Sequence, residues 1–248
     1  MTFDFTLGKY AELCEAIRGL SLPVLTVRRF LEEGQPHDSL IILRHDVDRR
    51  MRAALRMAEL ESDYDIAATY YVRATPAVFK PQALKRLNEL GHEVGYHYED
   101  LAKAKGDTQQ AIGRFEQELE RFRGVVPIAT VSMHGSPLSP WNNLDLWQVC
   151  DLGNYDIEGD AVLSIEGESL YYFTDTGRSW RAGRCNLRDH FASREHPRPI
   201  HTTNQLIGLL EEEPRCPVYV SAHPNRWASN WLDWGTGVVS DWLANQAK

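Results

Sequence analysis

Three of the nine histidines in this 248-residue chain, His97, His134 and His223, and the run His45-Asp46-Val47-Asp48 share one placement. Each directly follows a short apolar segment rich in β-branched or aromatic residues, the pattern of a buried parallel strand. Strands of a βα barrel end on one face, and active sites are built there. The spacing therefore predicts four sequence-distant segments sending imidazoles and carboxylates into one mouth. Mixed nitrogen and oxygen donors suit a Lewis-acidic divalent metal, so a shared metal-dependent site is expected. His37, His92, His190, His196 and His201 fall in predicted loops or at strand starts and are read as solvated or structural.

Other residues near strand ends suit a ligand. The run Thr174-Asp-Thr-Gly-Arg-Ser-Trp180 offers Asp175, Arg178 and Trp180 for sugar hydroxyls, an anionic group and ring stacking. A turn held by its own Asp and Gly explains the same run without a ligand. Arg73 also follows a strand, where a guanidinium can hold phosphate or carboxylate. Tyr98 beside His97, and Arg226 and Trp227 beside His223, complete the substrate-binding candidates. Arg44, Arg49, Arg50, Arg52 and Arg56 form a local basic patch, read first as a solvated helix face and second as an attractor of a nucleotide-sugar or lipid diphosphate. Trp227, Trp231, Trp234 and Trp242 read as core before they read as a partner surface.

The elements that must carry these residues alternate in the α/β manner. Helices are predicted over 10–20 and 26–33, then a strand from Ser39 to Leu43 and a helix from about Arg49 to Leu60 that Asp48 can cap. Ile66 to Val72 reads as a strand, Pro81 to Leu90 as a helix with Gly91 past its end, and Glu93 to Tyr96 as a strand. A helix from Asp107 to Arg123 precedes a strand from Val125 to Met133. Beyond it come a helix near Asn143–Cys150, a strand from Leu170 to Thr174, a helix from Thr203 to Glu212, a strand from Val218 to Ser221 and a helical, Trp-rich end. No internal boundary is visible, so residues 1–248 read as a single barrel-like domain of six to eight strands, with 1–38 as leading helices.

Composition narrows the function classes. The chain is 43% hydrophobic and 25% charged, ordinary for a globular protein. With 27 Lys and Arg against 35 Asp and Glu, the net charge of -8 argues against nucleic acid as a partner. Cys14, Cys150, Cys185 and Cys216 are far apart and suit reduced thiols. No stretch of 18 apolar residues occurs, so no membrane-spanning segment is expected. The amino end shows no basic region followed by an apolar run, and a cytoplasmic protein is the expectation.

The segments Leu43-Arg-His-Asp-Val-Asp48, Gly91-His-Glu-Val-Gly-Tyr-His-Tyr98, Met133-His-Gly-Ser-Pro137 and Ala222-His-Pro-Asn-Arg-Trp227 resemble the motifs of the polysaccharide deacetylase (NodB-homology, carbohydrate esterase) superfamily. More narrowly, they are similar to a variant branch with His-Asp-Val-Asp found among O-antigen and surface-polysaccharide biosynthesis proteins. The resemblance covers about residues 40–230. It implies an irregular (β/α)7 barrel, one divalent metal, usually zinc, and removal of acyl groups from N-acylated sugars. Carried over by position, it makes Asp46 the general base, Asp48 a metal ligand displaced by one residue, His97 the first histidine ligand and His223 the general acid.

This chain departs from the pattern at two places. Leu101 stands where the family's second histidine ligand would be, four residues after His97. Glu99 and His134 are both available as the third ligand, Glu99 because it shares a face with His97 at period 2, His134 because it arrives from the next strand end. The Arg-x-Pro motif that orients the base is missing, and His134-Gly-Ser-Pro stands near its place. The resemblance implies a hydrolase removing acetyl or formyl from an N-acylated sugar, and the expected cytoplasmic location makes a nucleotide-sugar or lipid-linked saccharide precursor the expected substrate. A non-catalytic sugar-binding protein on the same barrel, and a non-sugar amide hydrolase, are the alternatives.

Overall fold

Runs that are apolar on both faces, such as Leu40-Ile-Ile-Leu43, form strands covered from both sides, and amphipathic runs between them form the covering helices. The computed structural model describes residues 3–34, 39–136, 139–165, 170–180, 198–212 and 214–246. Among these residues, eight parallel strands make one sheet: β1 (Val24–Leu25), β2 (Ile41–Val47), β3 (Thr69–Arg73), β4 (Glu93–Tyr98), β5 (Thr130–Met133), β6 (Gly159–Asp160), β7 (Tyr171–Thr174) and β8 (Val218–Ala222). The order is β6-β5-β4-β3-β2-β8-β7, with β1 pairing the start of β2. The helices are α1 (Leu7–Gly19), α2 (Val27–Glu33), α3 (Met51–Asp63), α4 (Pro81–Glu89), α5 (Asp100–Lys103), α6 (Thr108–Arg123), α7 (Thr203–Glu211) and α8 (Trp231–Gln246).

The sheet is curled. Five steps separate β6 from β8, about 24 Å in a flat sheet, yet the Tyr219 hydroxyl on β8 donates to the Ala161 carbonyl just past β6 at 3.1 Å. Tyr219, Tyr172, Tyr71, Ala161 and Ile165 share one apolar cluster inside the curl. This is the α/β barrel architecture that the sequence predicts, with seven strands on the sheet path and β1 added to it. Among the described residues no helix is long and apolar enough to cross a membrane.

Caps explain several boundaries. Thr6, Thr26 and Asp107 accept from the third following N–H at the starts of α1, α2 and α6, and Thr202 with Gln205 forms a capping box before α7. The expected cap of α3 differs. Arg50, in the left-handed region at φ 54, is its N-cap, without a side-chain hydrogen bond, so Asp48 does not cap the helix. The strand expected from Val125 begins only at Thr130, and Asn143–Gln148 is 3-10 helix.

Strand alternation sorts the chemistry. On β2, Ile41, Leu43 and Val47 pack outward in the main core cluster, while Ile42 packs inside the curl and Arg44 and Asp46 share its face. Registers Asp46↔Tyr71↔Gly95 and Arg73↔His97↔Ser132 place these residues in inner rows. Gly95 is required there, because a Cβ would lie 2.3 Å from the Tyr71 ring and 2.9 Å from the Thr130 carbonyl.

Candidate active site at the barrel mouth

Asp46 is set by its own strand. Arg44, two residues earlier on the same face, is fully buried and grips the carboxylate with two bonds, Nε to Oδ1 at 3.0 Å and Nη2 to Oδ2 at 2.7 Å. The guanidinium lies between the rings of Tyr71 and Tyr219, 5.6 and 5.8 Å from their centroids. Burial raises the Asp46 pKa, but the charges of Arg44, His97 and His223 and the Arg44 hydrogen bonds together outweigh it, so the group sits below its ordinary value.

One step further out, three side chains converge. Asp48 Oδ1 lies 3.5 Å from His97 Nε2 and 3.4 Å from His134 Nε2. That oxygen is buried and has no hydrogen-bond partner. His97 is oriented by Nδ1, which is 3.0 Å from the Ser132 carbonyl, so the proton belongs there and the Nε2 lone pair faces Asp48. Burial pulls the His97 pKa down, and the Asp46 and Asp48 carboxylates more than reverse it. Asp48 is held well below the usual carboxylate range, against burial, by His97, His134 and His223. Among the described residues no group of three or more His, Cys, Asp or Glu side chains is arranged, as it stands, to hold a metal ion. The two distances from Asp48 Oδ1 nevertheless approach the ~3.4 Å donor separation of a tetrahedral ion with ~2.1 Å bonds. An orphaned carboxylate oxygen facing two imidazole nitrogens is a donor set that could hold a divalent metal.

Glu99 stands behind this trio. It receives Arg73 at 2.6–3.1 Å and Lys103 at 3.0 Å, and Oε2 is 3.3 Å from His134 Nδ1. Burial raises its pKa, but His134 and Arg73 keep it far below the ordinary carboxylate value. Asn143 fixes the same segment by donating to the His134 carbonyl at 2.7 Å.

On the opposite wall, His223 follows β8. Its Nδ1 is 2.7 Å from Asp175 Oδ1 and its backbone N–H donates to Oδ2 at 2.9 Å. Arg226 donates to Oδ1 at 2.6 Å and the Trp227 indole to Oδ2 at 3.0 Å. Asp175 is fully buried, yet Arg226 and His223 overcome the burial penalty and bring its pKa to about 2. This carboxylate–imidazole pair fixes the tautomer and leaves His223 Nε2 as the working nitrogen.

The structure thus brings Asp46, Asp48, His97, His134, Glu99 and His223 together at the ends of β2, β4, β5 and β8. Several of the substrate-binding candidates are engaged within the fold. Tyr98 lies on the outer face of β4, fully buried, donating to Asp160 at 2.9 Å and receiving the Trp147 indole at 2.7 Å; period 2 turns it away from His97. Trp180 is core, bonded to Thr203 at 3.0 Å. Asp175 is engaged by His223, Arg226 and the Trp227 indole, and Arg73 is committed to Glu99. Arg178 closes the turn begun by Asp175, its N–H 2.9 Å from that carbonyl, at φ 56. His37, His190 and His196, and Cys185, lie outside the described residues, while Cys14 and Cys150 are free thiols. His201 stands by Ser179, away from the mouth. Sequence reasoning missed Arg44 as the partner of Asp46; alternation along β2 was the available signal.

No protein-family model matches the chain, and no curated protein matches it. Solved structures do. A CE4 esterase from Streptococcus mutans is 13% identical, with 90% of this chain and 86% of that one covered, at a TM-score of 0.49. A family 4 carbohydrate esterase from Streptomyces lividans in complex with acetate is 13% identical, covering 83% and 88%, at 0.43. A CE4 family pseudoenzyme from Bacillus anthracis is 11% identical at 0.46; 83% of this chain is covered, and the match spans 61% of the length of that protein. Two of these three solved structures are described as family 4 carbohydrate esterases and the third as a pseudoenzyme of that family.

Proposed function

We propose that the protein is a metal-dependent hydrolase that removes an acetyl or formyl group from an N-acylated sugar, carried as a nucleotide-sugar or lipid-linked saccharide in surface polysaccharide biosynthesis. The observation that carries the reading is the pairing of an orphaned Asp48 oxygen, facing His97 and His134, with two oriented proton carriers, Asp46 and His223, on the same rim. Asp48, His97 and His134 would hold the ion, zinc by the family resemblance. It would supply polarisation of the acyl carbonyl and acidification of a water. Glu99 then serves behind His134 and is not itself a ligand.

The chain's own residues account for the proton movements. Asp46, kept ionised by Arg44 and buried beside Asp48, accepts a proton from the attacking water. Arg44 fixes the carboxylate plane with two bonds, so the accepting lone pair is aimed before substrate arrives. His223 donates from Nε2 to the departing amine nitrogen, and Asp175, ionised at all working pH values, stabilises the imidazolium that does so. We assign Asp175, Arg226 and Trp227 as positioning residues for His223.

The test is release of acetate or formate from a panel of N-acyl sugars, free, nucleotide-linked and lipid-linked, by metal-loaded protein. Asp46→Asn should lower kcat/KM by ~10³-fold on the active member. Turnover by wild type that survives Asp46→Asn intact would overturn the assignment of the base, and a panel without any release would overturn the reaction.

A further inference from the structure

Beside the mouth, a groove of about 640 Å³ runs between the first two turns of α3, the start of α4 and the loop that follows His223. Its charged lining is Arg50, Arg52, Arg56 and Lys80 against one carboxylate, Asp233. Arg50 faces Asp233 at 3.7 Å. Arg52, Arg56 and Lys80 are exposed, and among the described residues they form no ion pair. Arg52 and Arg56 stand one turn apart on α3, a spacing at which like charges repel. In a chain of net charge -8, three unpaired cations gathered on one concave wall are not a background feature. The α3 N-terminus, which has no side-chain cap, adds its positive dipole end to the same wall.

The groove is tied to the catalytic rim by the chain itself. The helix α3 begins three residues after Asp48, and Trp227, which lines the groove, holds the Asp175 that orients His223. The groove is thus lined by the segments that directly follow Asp48 and His223. Resting on the deacylase reading for the sugar itself, we propose that this groove binds the phosphate or diphosphate linking the sugar to its carrier, with Arg52, Arg56 and Lys80 as the recognising charges. Guanidinium pairs suit phosphate oxygens by forked geometry, with lysine as a point charge beside them. The exposed Trp231 and Leu232, next in sequence to Asp233, offer an apolar surface for a lipid tail and, through the Trp231 ring, a stacking face for a base.

Calorimetric titration of the metal-loaded protein with inorganic pyrophosphate at low salt tests the site without needing the true sugar. Wild type should bind it, and Arg52→Ala/Arg56→Ala should bind at least tenfold more weakly, whereas Arg52→Lys/Arg56→Lys should keep most of the affinity at an unchanged Tm. Asp48→Ala, which alters the mouth alone, should still bind. Parallel titrations with uridine diphosphate and with farnesyl diphosphate in phosphatidylcholine vesicles name the carrier, since the matching source should bind tighter than pyrophosphate. Equal affinity in wild type and the double alanine variant, absence of uptake by wild type, or loss in Asp48→Ala alone would overturn the proposal. None of these depends on turnover, so the groove can fail while the deacylase survives, and the reverse.

Discussion

Two clusters with nearly the same ingredients lie on opposite faces of β2. Inside the curl, Asp48 meets His97 and His134. On the outer face, Glu61 of α3 is fully buried and is bonded by Tyr10, by Tyr70 at 2.7 Å and by His45 Nε2 at 2.6 Å, with His92 Nδ1 at 3.7 Å. His92 is itself satisfied, Nδ1 accepting from the Ala68 N–H at 3.2 Å and Nε2 2.9 Å from the Ala58 carbonyl. Both oxygens of Glu61 are thus occupied, while Asp48 Oδ1 has none of its bonds made. Residue types do not separate a structural cluster from a functional one; the bonding capacity left over does. The Glu61 cluster ties α1, α3, β2 and β3 together, and the Asp48 cluster leaves donors for something the fold does not supply.

That contrast can be broken in order of effect size. Asp46→Asn, on the inner face, should cost ~10³-fold in rate, equivalent to about 4 kcal/mol of transition-state stabilisation, with the far-ultraviolet circular dichroism spectrum unchanged. Glu61→Gln, on the outer face, should cost about 3 kcal/mol of stability by stranding buried donors. In a domain of this size that is a fall of roughly 6–12 °C in Tm, read by thermal unfolding with metal content unchanged. A Glu61→Gln protein that melts like wild type but loses metal would reverse the two roles.

Smaller effects sharpen the inner cluster. His134→Ala should abolish stoichiometric metal binding, whereas Glu99→Gln should retain the ion and lower the rate about 10–100-fold; elemental analysis beside kinetics distinguishes them, and the opposite pattern would make Glu99 the ligand. Asp175 gives the smallest expected effect. Its pKa of about 2 in the fold lies below the ordinary 3.8, so its stabilising contribution is complete above pH 4. About 2 kcal/mol is lost as pH falls from 4 towards 2. Asp175→Asn should flatten that part of the acid-unfolding curve.

Much of this architecture is legible in the sequence because strands buried on both faces announce themselves as apolar runs, and Leu40-Ile-Ile-Leu43 could be little else. Two-residue strands such as β1 and β6 carry no period and are invisible. At the mouth, His97, His134, His223 and Asp46 stand out because each ends such a run. Arg44 does not, since its charge reads as surface until alternation from Asp46 is followed inward. Tyr98 and Trp180 attract attention as ring-stacking residues, yet strand alternation and the Phe5 and Trp227 packing beside Trp180 put them in the core. Asp175 is opaque for another reason: its partner His223 is 48 residues away, and no local pattern joins them.

The central claim is that the inner cluster, and not the outer one, is completed by a divalent ion. Metal content per chain, measured after reconstitution and desalting for wild type, Asp48→Ala and Glu61→Gln, tests it most directly. The account predicts about one ion in wild type and in Glu61→Gln and none in Asp48→Ala. An Asp48→Ala protein that keeps its ion would contradict it.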